Sequence, residues 1–169
     1  MGDVGDRHYV HVSGREGRER LRILGRIFAP ATAALFDRLG VGAGLRCLDI
    51  GCGGGDVSVE LARRVGLQGS VTGIDFDSEK LQIADNEAIE AGLENLTYLQ
   101  ADLFEVDLDV AFDVVYARFV LTHLKDPLAA LSRMAALLRP GGMVIVEDAD
   151  ASANFCYPQN VAFNAYSRL

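Results

Sequence analysis

The chain has 169 residues, of which 50% are hydrophobic and 24% are charged. This composition is rich enough in apolar residues to build a core, which excludes a globally disordered chain and predicts about one domain. No apolar run is long enough to span a membrane, and the polar residues 1–20 contain no apolar core of a secretory signal. We therefore expect a cytoplasmic protein that does not associate with membranes.

The formal net charge of −8 is distributed unevenly along the chain. Residues 1–46 carry eight arginines against five acidic residues, whereas residues 47–169 carry eight basic against nineteen acidic residues. Non-specific binding of nucleic acid depends mostly on neutralising phosphates, so we do not expect a nucleic-acid partner. The arginines between Arg15 and Arg26 are expected to form a solvated helix face.

The three cysteines, Cys47, Cys52 and Cys156, are an odd number and show neither a CxxC motif nor the spacing of metal ligands. This usage is typical of a reduced protein and predicts no disulfide framework and no metal site.

The predicted elements alternate between helices and strands. Residues 16–38 have helical periodicity, and Pro30 is expected to divide this segment into two helices. Beyond it, the pattern predicts strands over 45–50, 70–75, 95–101, 112–117 and 143–147, helices over 57–65, 78–91 and 127–138, and a turn over 139–142. Apolar strands separated by helices indicate a doubly wound α/β domain, with a parallel sheet covered on both faces.

A glycine-rich turn follows the first strand, where the chain reads LDIGCGGGD from Leu48 to Asp56. A phosphate-binding P-loop would need a GK[ST] ending, yet no lysine precedes Lys80. The dinucleotide pattern GxGxxG would place its third glycine at Asp56, whose carboxylate would repel a pyrophosphate. The loop therefore suits a ligand without phosphates and disfavours an NAD(P)-dependent oxidoreductase.

Acidic residues also follow the second and third strands. Asp75 is placed to accept hydrogen bonds from the two hydroxyls of a ribose, while Asp77 or Ser78 is expected to cap the next helix. Asp102 taken alone is more typical of a turn. Together with the acids after the first two strands, its position favours a hydrogen bond from an exocyclic amine such as that of adenine.

The segments LDIGCGGGD, GIDFD, QADLFE, FDVVYARFVLTHL and LRPGGMVIVED occur in an order and at a spacing that resemble the class I S-adenosylmethionine-dependent methyltransferases. The resemblance covers residues 43–150. It implies a Rossmann-like sheet of strand order 3-2-1-4-5 and S-adenosylmethionine as cofactor. It also implies methyl transfer by in-line displacement to an oxygen, nitrogen or carbon atom of an acceptor. Residues 1–42 would form a helical lid, and residues 151–169 a C-terminal segment.

The family resemblance also implies a set of cofactor-binding residues. They are Asp49, Gly51, Cys52, Gly53, Asp75, Phe76, Asp102, Leu103, Ala117 and Arg118. The glycine loop would lie against the methionine part of the cofactor and Asp75 would hold the ribose. Asp102 and Leu103 would hold the adenine, and Ala117 and Arg118 would line the methyl-transfer face.

Two residues near the fourth strand have open roles. Arg118 stands where the family usually has a small or polar residue, so its guanidinium would bind an acidic group of the substrate or pair with Asp113 or Asp126, and pairing is favoured. His123 is a candidate catalytic base, although a ring packed at the start of the following helix is the favoured interpretation. No other catalytic residue is predicted.

The acceptor is expected to be a small molecule. The segment after the fourth strand lacks the Asn/Asp-Pro-Pro-aromatic stretch of many enzymes that methylate amino groups of nucleic acids, and no cysteine stands near the fourth or fifth strand end. Only five strands are predicted, whereas the family normally has seven, so its last two strands are expected to be missing. A cofactor-binding remnant without catalysis therefore stays open as an alternative. An exposed edge on the fifth strand predicts cover by residues 152–169 or by another copy of the chain.

Overall fold

The computed structural model describes residues 14–150 and 156–161, and the side chains from residue 17 onward. The helices are α1 (Gly14–Leu39), α2 (Asp56–Val65), α3 (Ser78–Glu90) and α4 (Pro127–Ala136), and the strands are β1 (Arg46–Ile50), β2 (Ser70–Asp75), β3 (Leu96–Gln100), β4 (Phe112–Arg118) and β5 (Leu138–Glu147). A short 3₁₀ turn over Leu121–His123, which was not predicted, lies between β4 and α4.

The five described strands form one parallel sheet in the order β3-β2-β1-β4-β5. This confirms the predicted doubly wound architecture and its strand order. The strand order reverses between β1 and β4, since β2 and β3 follow on one side and β5 on the other. Because all the pairings are parallel, the carboxyl ends of the strands lie along one edge of the sheet. In such sheets ligands bind beyond this edge, at the point where the strand order reverses.

Side chains that alternate along the central strands supply two cores, one on each face of the sheet. Cys47 and Tyr116 point to the face covered by α1, α2 and α3, whereas Leu48 and Ala117 point to the face covered by α4. Strands buried on both faces require the continuous apolar runs that the sequence shows. The scaffold that carries the strand ends is therefore rigid on both sides.

The structure corrects the prediction that Pro30 divides the first helix, because α1 runs unbroken from Gly14 to Leu39. Proline removes one amide hydrogen bond and crowds the preceding turn, which usually kinks a helix. Here the helix is fixed beyond the proline by the fully buried Phe36, whose ring meets that of Tyr116 edge-on with the ring centroids 5.3 Å apart. Tertiary packing therefore outweighs the local cost of the proline.

The start of β5 also differs from the prediction of a turn over 139–142. Strand β5 begins at Leu138, which pairs with Phe112, and regular pairing resumes only at Met143 opposite Val114. The intervening residues bulge out of the ladder, and Gly141 takes a φ of +82° within the bulge. Helix α4 consequently ends at Ala136, two residues before the predicted end at 138.

Strand β5 is at the edge of the described sheet. Most of the predicted cover, residues 152–155 and 162–169, lies outside the described residues. The described part of this segment, residues 156–161, includes the exposed side chains of Tyr157 and Val161. Cover by this segment or by a second copy therefore stays a prediction. Within the described ranges, no helix has both the length and the apolar character needed to cross a membrane.

Candidate active site

The glycine loop after β1 has a backbone that only glycine adopts readily. Gly51 and Gly53 have φ values of +64° and +54°. A Cβ atom on Gly51 would lie 2.6 Å from Cγ2 of Val120, so the loop and the segment after β4 approach closely. The amide of Cys52, between the two glycines, donates to the carbonyl of Ile74 on β2 at 3.0 Å. The loop is thus a tight turn drawn over the ends of the strands.

Asp75, at the end of β2, ties this loop to its own strand. One carboxylate oxygen accepts a hydrogen bond from the amide of Gly53 at 2.9 Å, and the other accepts from the amide of Asp77 at 3.0 Å. The side chain is 8% exposed. An ionised carboxylate has about four acceptor positions, so two positions stay available for further donors.

Asp77 has the role that the sequence predicted for this position or its neighbour. It is the N-cap of α3, and its side chain accepts hydrogen bonds from the amides of Glu79 and Lys80 at 3.1 and 3.2 Å. Its charge also pairs with Lys80. The two acids therefore have different roles: Asp75 holds the glycine loop, and Asp77 caps the first turn of α3.

Asp49, in β1, is the most deeply buried acid of the site, with 2% of its surface exposed. The hydroxyl of Ser58 donates to its carboxylate at 2.6 Å. Burial raises the pKa of Asp49 to about 7, and the hydrogen bond from Ser58 and the charge of Arg118 oppose that rise. The negative charge of Asp75 adds to the rise, which indicates that the two carboxylates share one region of the site.

The end of β3 combines a turn with apolar surface. The carboxylate of Asp102 accepts a hydrogen bond from the amide of Phe104 at 2.9 Å, which is the turn role that the sequence also suggested. Leu103 is buried in the core on the α4 side. Phe76 and Phe104 both stand about half exposed after β2 and β3. Exposed aromatic rings can stack on a flat ligand ring, so the ends of β2 and β3 offer apolar surface beside the acidic residues in the sequence.

The end of β4 differs in part from the sequence prediction. Ala117 is fully buried in the core on the α4 side, so its side chain contributes to packing there. Arg118 pairs with neither Asp113 nor Asp126, which corrects the favoured interpretation. Asp113 is bound to Arg139 and to the amide of Arg46 at the opposite end of the sheet, and Asp126 caps α4.

The guanidinium of Arg118 instead reaches α1, where its Nη1 donates to the hydroxyl of Thr32 at 3.3 Å. Thr32 in turn donates to the carboxylate of Glu147, at the end of β5, at 2.8 Å. The hydroxyl of Tyr116 donates to the same carboxylate oxygen at 2.5 Å. This polar network joins α1 to the ends of β4 and β5, and the sequence analysis missed it. The four-residue spacing of Thr32 and Phe36 was the available signal, since it places a threonine on an apolar helix face.

The chain leaves β4 through a strained residue. Phe119 has a φ of +56°, a region that residues other than glycine seldom occupy, and its ring meets that of Phe28 in α1 at 5.0 Å. Such strain is concentrated at functional sites. His123 follows in the 3₁₀ turn and is exposed, so the structure does not show the packed ring that was the favoured interpretation. Its catalytic role stays a prediction.

Helix α1 also covers the glycine loop, through residues that the sequence analysis placed on a solvated face. Arg18 is 5% exposed and pairs with Asp56 at 2.8 Å and with Glu87 at 2.7 Å. A Cβ atom on Gly54 would lie 2.6 Å from Cδ of Arg18, so the arginine lies directly on the loop. The negative charge of Asp56 is therefore paired with the positive charge of Arg18. This pairing weakens the argument that the charge of Asp56 alone excludes a pyrophosphate.

The cysteines are free, and the thiols of Cys47 and Cys52 are not activated as nucleophiles. Burial raises the pKa of Cys47 to about 12 and holds the pKa of Cys52, inside the glycine loop, well above its usual range. Both thiols therefore stay protonated at neutral pH. Cys52 contributes its small side chain and its amide to the loop.

Two hollows of the described surface lie beside α3, and Arg18 and Glu87 line one of them. One, of about 370 Å³, lies between α1 and α3, and the other, of about 550 Å³, lies along α3 and β3. Neither is lined by the glycine loop or by Asp75. We therefore place the candidate site by its chemistry at the strand ends, where charged, aromatic and strained groups converge, and not by the size of a cavity.

The fold and this arrangement define a class of protein. Residues 42–165 match a family model described as a methyltransferase domain. The chain belongs to that family, and its predicted class, S-adenosylmethionine-dependent methyltransferase, is confirmed.

Individual relatives agree with this class. The chain is 39% identical over 108 residues to a demethylmenaquinone methyltransferase of Staphylococcus aureus, and this match covers 63% of the chain and 44% of the relative. The chain thus matches less than half the length of that curated relative.

Solved structures show the same fold. One is a SAM-dependent methyltransferase from Aquifex aeolicus, with 24% identity, a TM-score of 0.66 and coverage of 75% of this chain and 68% of that one. Another, from Geobacter sulfurreducens, is a SAM-dependent methyltransferase in complex with S-adenosyl-L-homocysteine. It is 25% identical, with a TM-score of 0.59 and coverage of 68% of this chain and 45% of that one.

The raised pKa of Asp49 predicts a specific dependence of stability on pH. The folded state holds this proton up to a pH of about 7, whereas the unfolded state releases it near ~3.9. The stability that depends on the proton is therefore complete below ~3.9 and is lost as the pH rises through 7. Relative to Asp49→Asn, the wild-type free energy of unfolding should fall by up to about 1.4 kcal/mol per pH unit across this window.

Urea unfolding at stepped pH measures this difference. Asp85→Asn, on an exposed position of α3, makes the same change in formal charge and is the matched control. Parallel pH profiles for wild type and Asp49→Asn would show that Asp49 is ionised in the folded protein.

Proposed function

We propose that the chain transfers a methyl group from S-adenosylmethionine to a small-molecule acceptor, and that the cofactor binds at the carboxyl ends of β1 to β4. The observation that carries the proposal is the Asp75 carboxylate. It fixes the glycine loop through Gly53 and keeps acceptor positions at the place where a ribose would lie.

The shape and charge of the site fit this cofactor. Gly51 and Gly53 have positive φ values that glycine allows, so the loop can turn its main-chain atoms toward a ligand with no side chain between them. The carboxylate of Asp75 gives the site a negative charge, which favours a ligand that bears a positive charge, and Asp49 adds to it only as the pH rises past about 7. The cofactor has no phosphate, in agreement with a loop that has no lysine of the P-loop type.

Each remaining residue has a proposed part in binding. Gly51, Cys52 and Gly53 would contact the methionine portion, with Asp49 beneath them. Asp75 would accept both ribose hydroxyls, beside Phe76. Asp102 and Leu103 would hold the adenine, with the acid accepting from its amine. Ala117, through its backbone, and Arg118 would border the face from which the methyl group leaves.

The bound cofactor supplies an activated methyl group on a sulfonium. The chain's own residues then have to orient the acceptor in line with that group and exclude water. Phe28 and Phe119, which meet edge-on above the end of β4, are placed to form an apolar wall for this purpose. His123 stays a candidate base for acceptors whose hydroxyl is weakly acidic.

The class of acceptor and the cellular setting follow from charge and cysteine usage. A chain with a net charge of −8 is poorly suited to a nucleic-acid substrate, which supports a small molecule. Three free cysteines support a reducing, cytoplasmic setting.

Ligand binding and turnover together test the proposed activity. S-adenosylhomocysteine at a hundred times its dissociation constant should stabilise the protein by about 2.7 kcal/mol, and NAD should not. Methyl-labelled S-adenosylmethionine should transfer label to at least one member of a small-molecule acceptor library. Stabilisation without transfer would support the alternative of a cofactor-binding remnant, and stabilisation by NAD alone would overturn the proposal.

A comparison of two neighbouring acids tests the proposed ribose contact. Asp75→Ala removes the acceptor for two hydroxyls, so we expect a loss of about 1.5–3 kcal/mol in binding, or roughly ten- to over a hundredfold in dissociation constant. Asp77→Ala makes the same change in charge two residues away and should cost about 1 kcal/mol of folding stability through the lost helix cap.

Calorimetric titration of S-adenosylhomocysteine into both variants, together with urea unfolding, measures the two effects separately. Equal affinities would mean that Asp75 does not bind the ribose.

A further inference from the structure

Arg118 is a partly buried cation that forms no direct ion pair with a described acid. Its one hydrogen bond to a described residue runs from Nη1 to the hydroxyl of Thr32 at 3.3 Å, and its guanidinium lies 6.0 Å from the centre of the Phe119 ring. None of the ion pairs between described residues includes it. A hydroxyl partner holds the guanidinium in place but does not balance its charge.

The nearest acid along the sheet is already engaged. Glu147 stands opposite Arg118 in the register of β4 and β5, yet its carboxylate oxygen accepts hydrogen bonds from Tyr116 and Thr32. The carboxylate therefore orients Thr32, and Thr32 orients the guanidinium. This chain of contacts fixes the position of Arg118 and leaves its other donors, on Nε and Nη2, without a partner among the described residues.

The position of this guanidinium relates it to the proposed methyl-transfer face. Arg118 ends β4 at the carboxyl edge, next to the pair formed by Ile50 of β1 and Ala117 of β4, and the glycine loop begins directly after Ile50. Its charge also acts on the buried carboxylate of Asp49. An acceptor that approaches the cofactor from the end of β4 would thus meet the guanidinium first.

We propose that the methyl acceptor bears an anionic oxygen group, a carboxylate or a phenolate, that Arg118 binds. The inference rests on the proposed function, which supplies the cofactor beside this residue. A guanidinium offers several donors in a planar fork, which matches an anionic oxygen group and adds both affinity and orientation. The edge-on pair of Phe28 and Phe119 beside the guanidinium suits an acceptor whose anionic group is attached to an apolar body.

The test uses matched pairs of probes that differ in charge. Benzoate is compared with benzamide, and 4-nitrophenolate with 4-nitroanisole, by titration into the protein with and without saturating S-adenosylhomocysteine. Wild type should bind at least one anionic probe about tenfold or more tightly than its neutral partner. The pair that shows this preference distinguishes a carboxylate from a phenolate.

Arg118→Gln should abolish the preference for the anionic probe. Arg139→Gln makes the same change in charge at an exposed residue bound to Asp113 at the opposite end of the sheet, and it should retain the preference. Arg118→Lys keeps the positive charge without the planar fork and should show a reduced preference for the anionic probe. This variant tests the role of the guanidinium if Arg118→Gln does not fold.

The outcomes separate this inference from the proposed function. If wild type binds S-adenosylhomocysteine but shows no preference for either anion, or if Arg118→Gln keeps the preference, the role of Arg118 is overturned and the methyl-transfer proposal is not. If wild type does not bind S-adenosylhomocysteine, the proposed function fails, and the titrations without it still decide whether Arg118 binds an anion.

Discussion

The hydrogen bond between the Gly53 amide and the Asp75 carboxylate is the contact on which the proposed site depends. It joins the turn after β1 to the end of β2, beside the point between β1 and β4 where the strand order reverses. Glycine allows the left-handed conformation of the loop, and the carboxylate at the end of β2 fixes the amide of Gly53 within it. One carboxylate thereby both shapes the loop and presents acceptors to a ligand.

The parts of this arrangement that could be predicted from the sequence are those that local chemistry determines. Apolar runs predicted the five strands, and the family resemblance predicted their order. The residue types at 77 and 78 predicted a helix cap, which the structure places at Asp77. The acids at the strand ends could be found because each follows directly on a strand. The continuity of α1 through Pro30 could not be predicted, since it depends on Phe36 packing against Tyr116 on a strand 80 residues further along the chain. The bulge at the start of β5 likewise depends on pairing with β4.

Long-range charges account for the other differences. Arg18 looked like one of several solvated arginines, but Asp56 and Glu87 bring it onto the glycine loop. Arg118 was expected to pair with Asp113 or Asp126, which lie near it in the sequence. In the structure Asp113 binds Arg139 and Asp126 caps α4. Helix α1 is the common element, because it contributes Arg18 at one end of the site and Thr32 at the other. Helix α1 therefore fixes the positions of two cations, Arg18 and Arg118, that border the proposed cofactor site.

The ligand site is proposed to lie at the carboxyl ends of the strands and not in the hollows beside α3. Titration of S-adenosylhomocysteine into isotopically labelled protein, followed by amide chemical shifts in NMR, tests this location directly. We expect the largest shifts at Gly51, Gly53, Phe76 and Leu103. Shifts concentrated on the α3 residues that line the two hollows, such as Ile83 and Gln82, with the glycine loop unchanged, would contradict it.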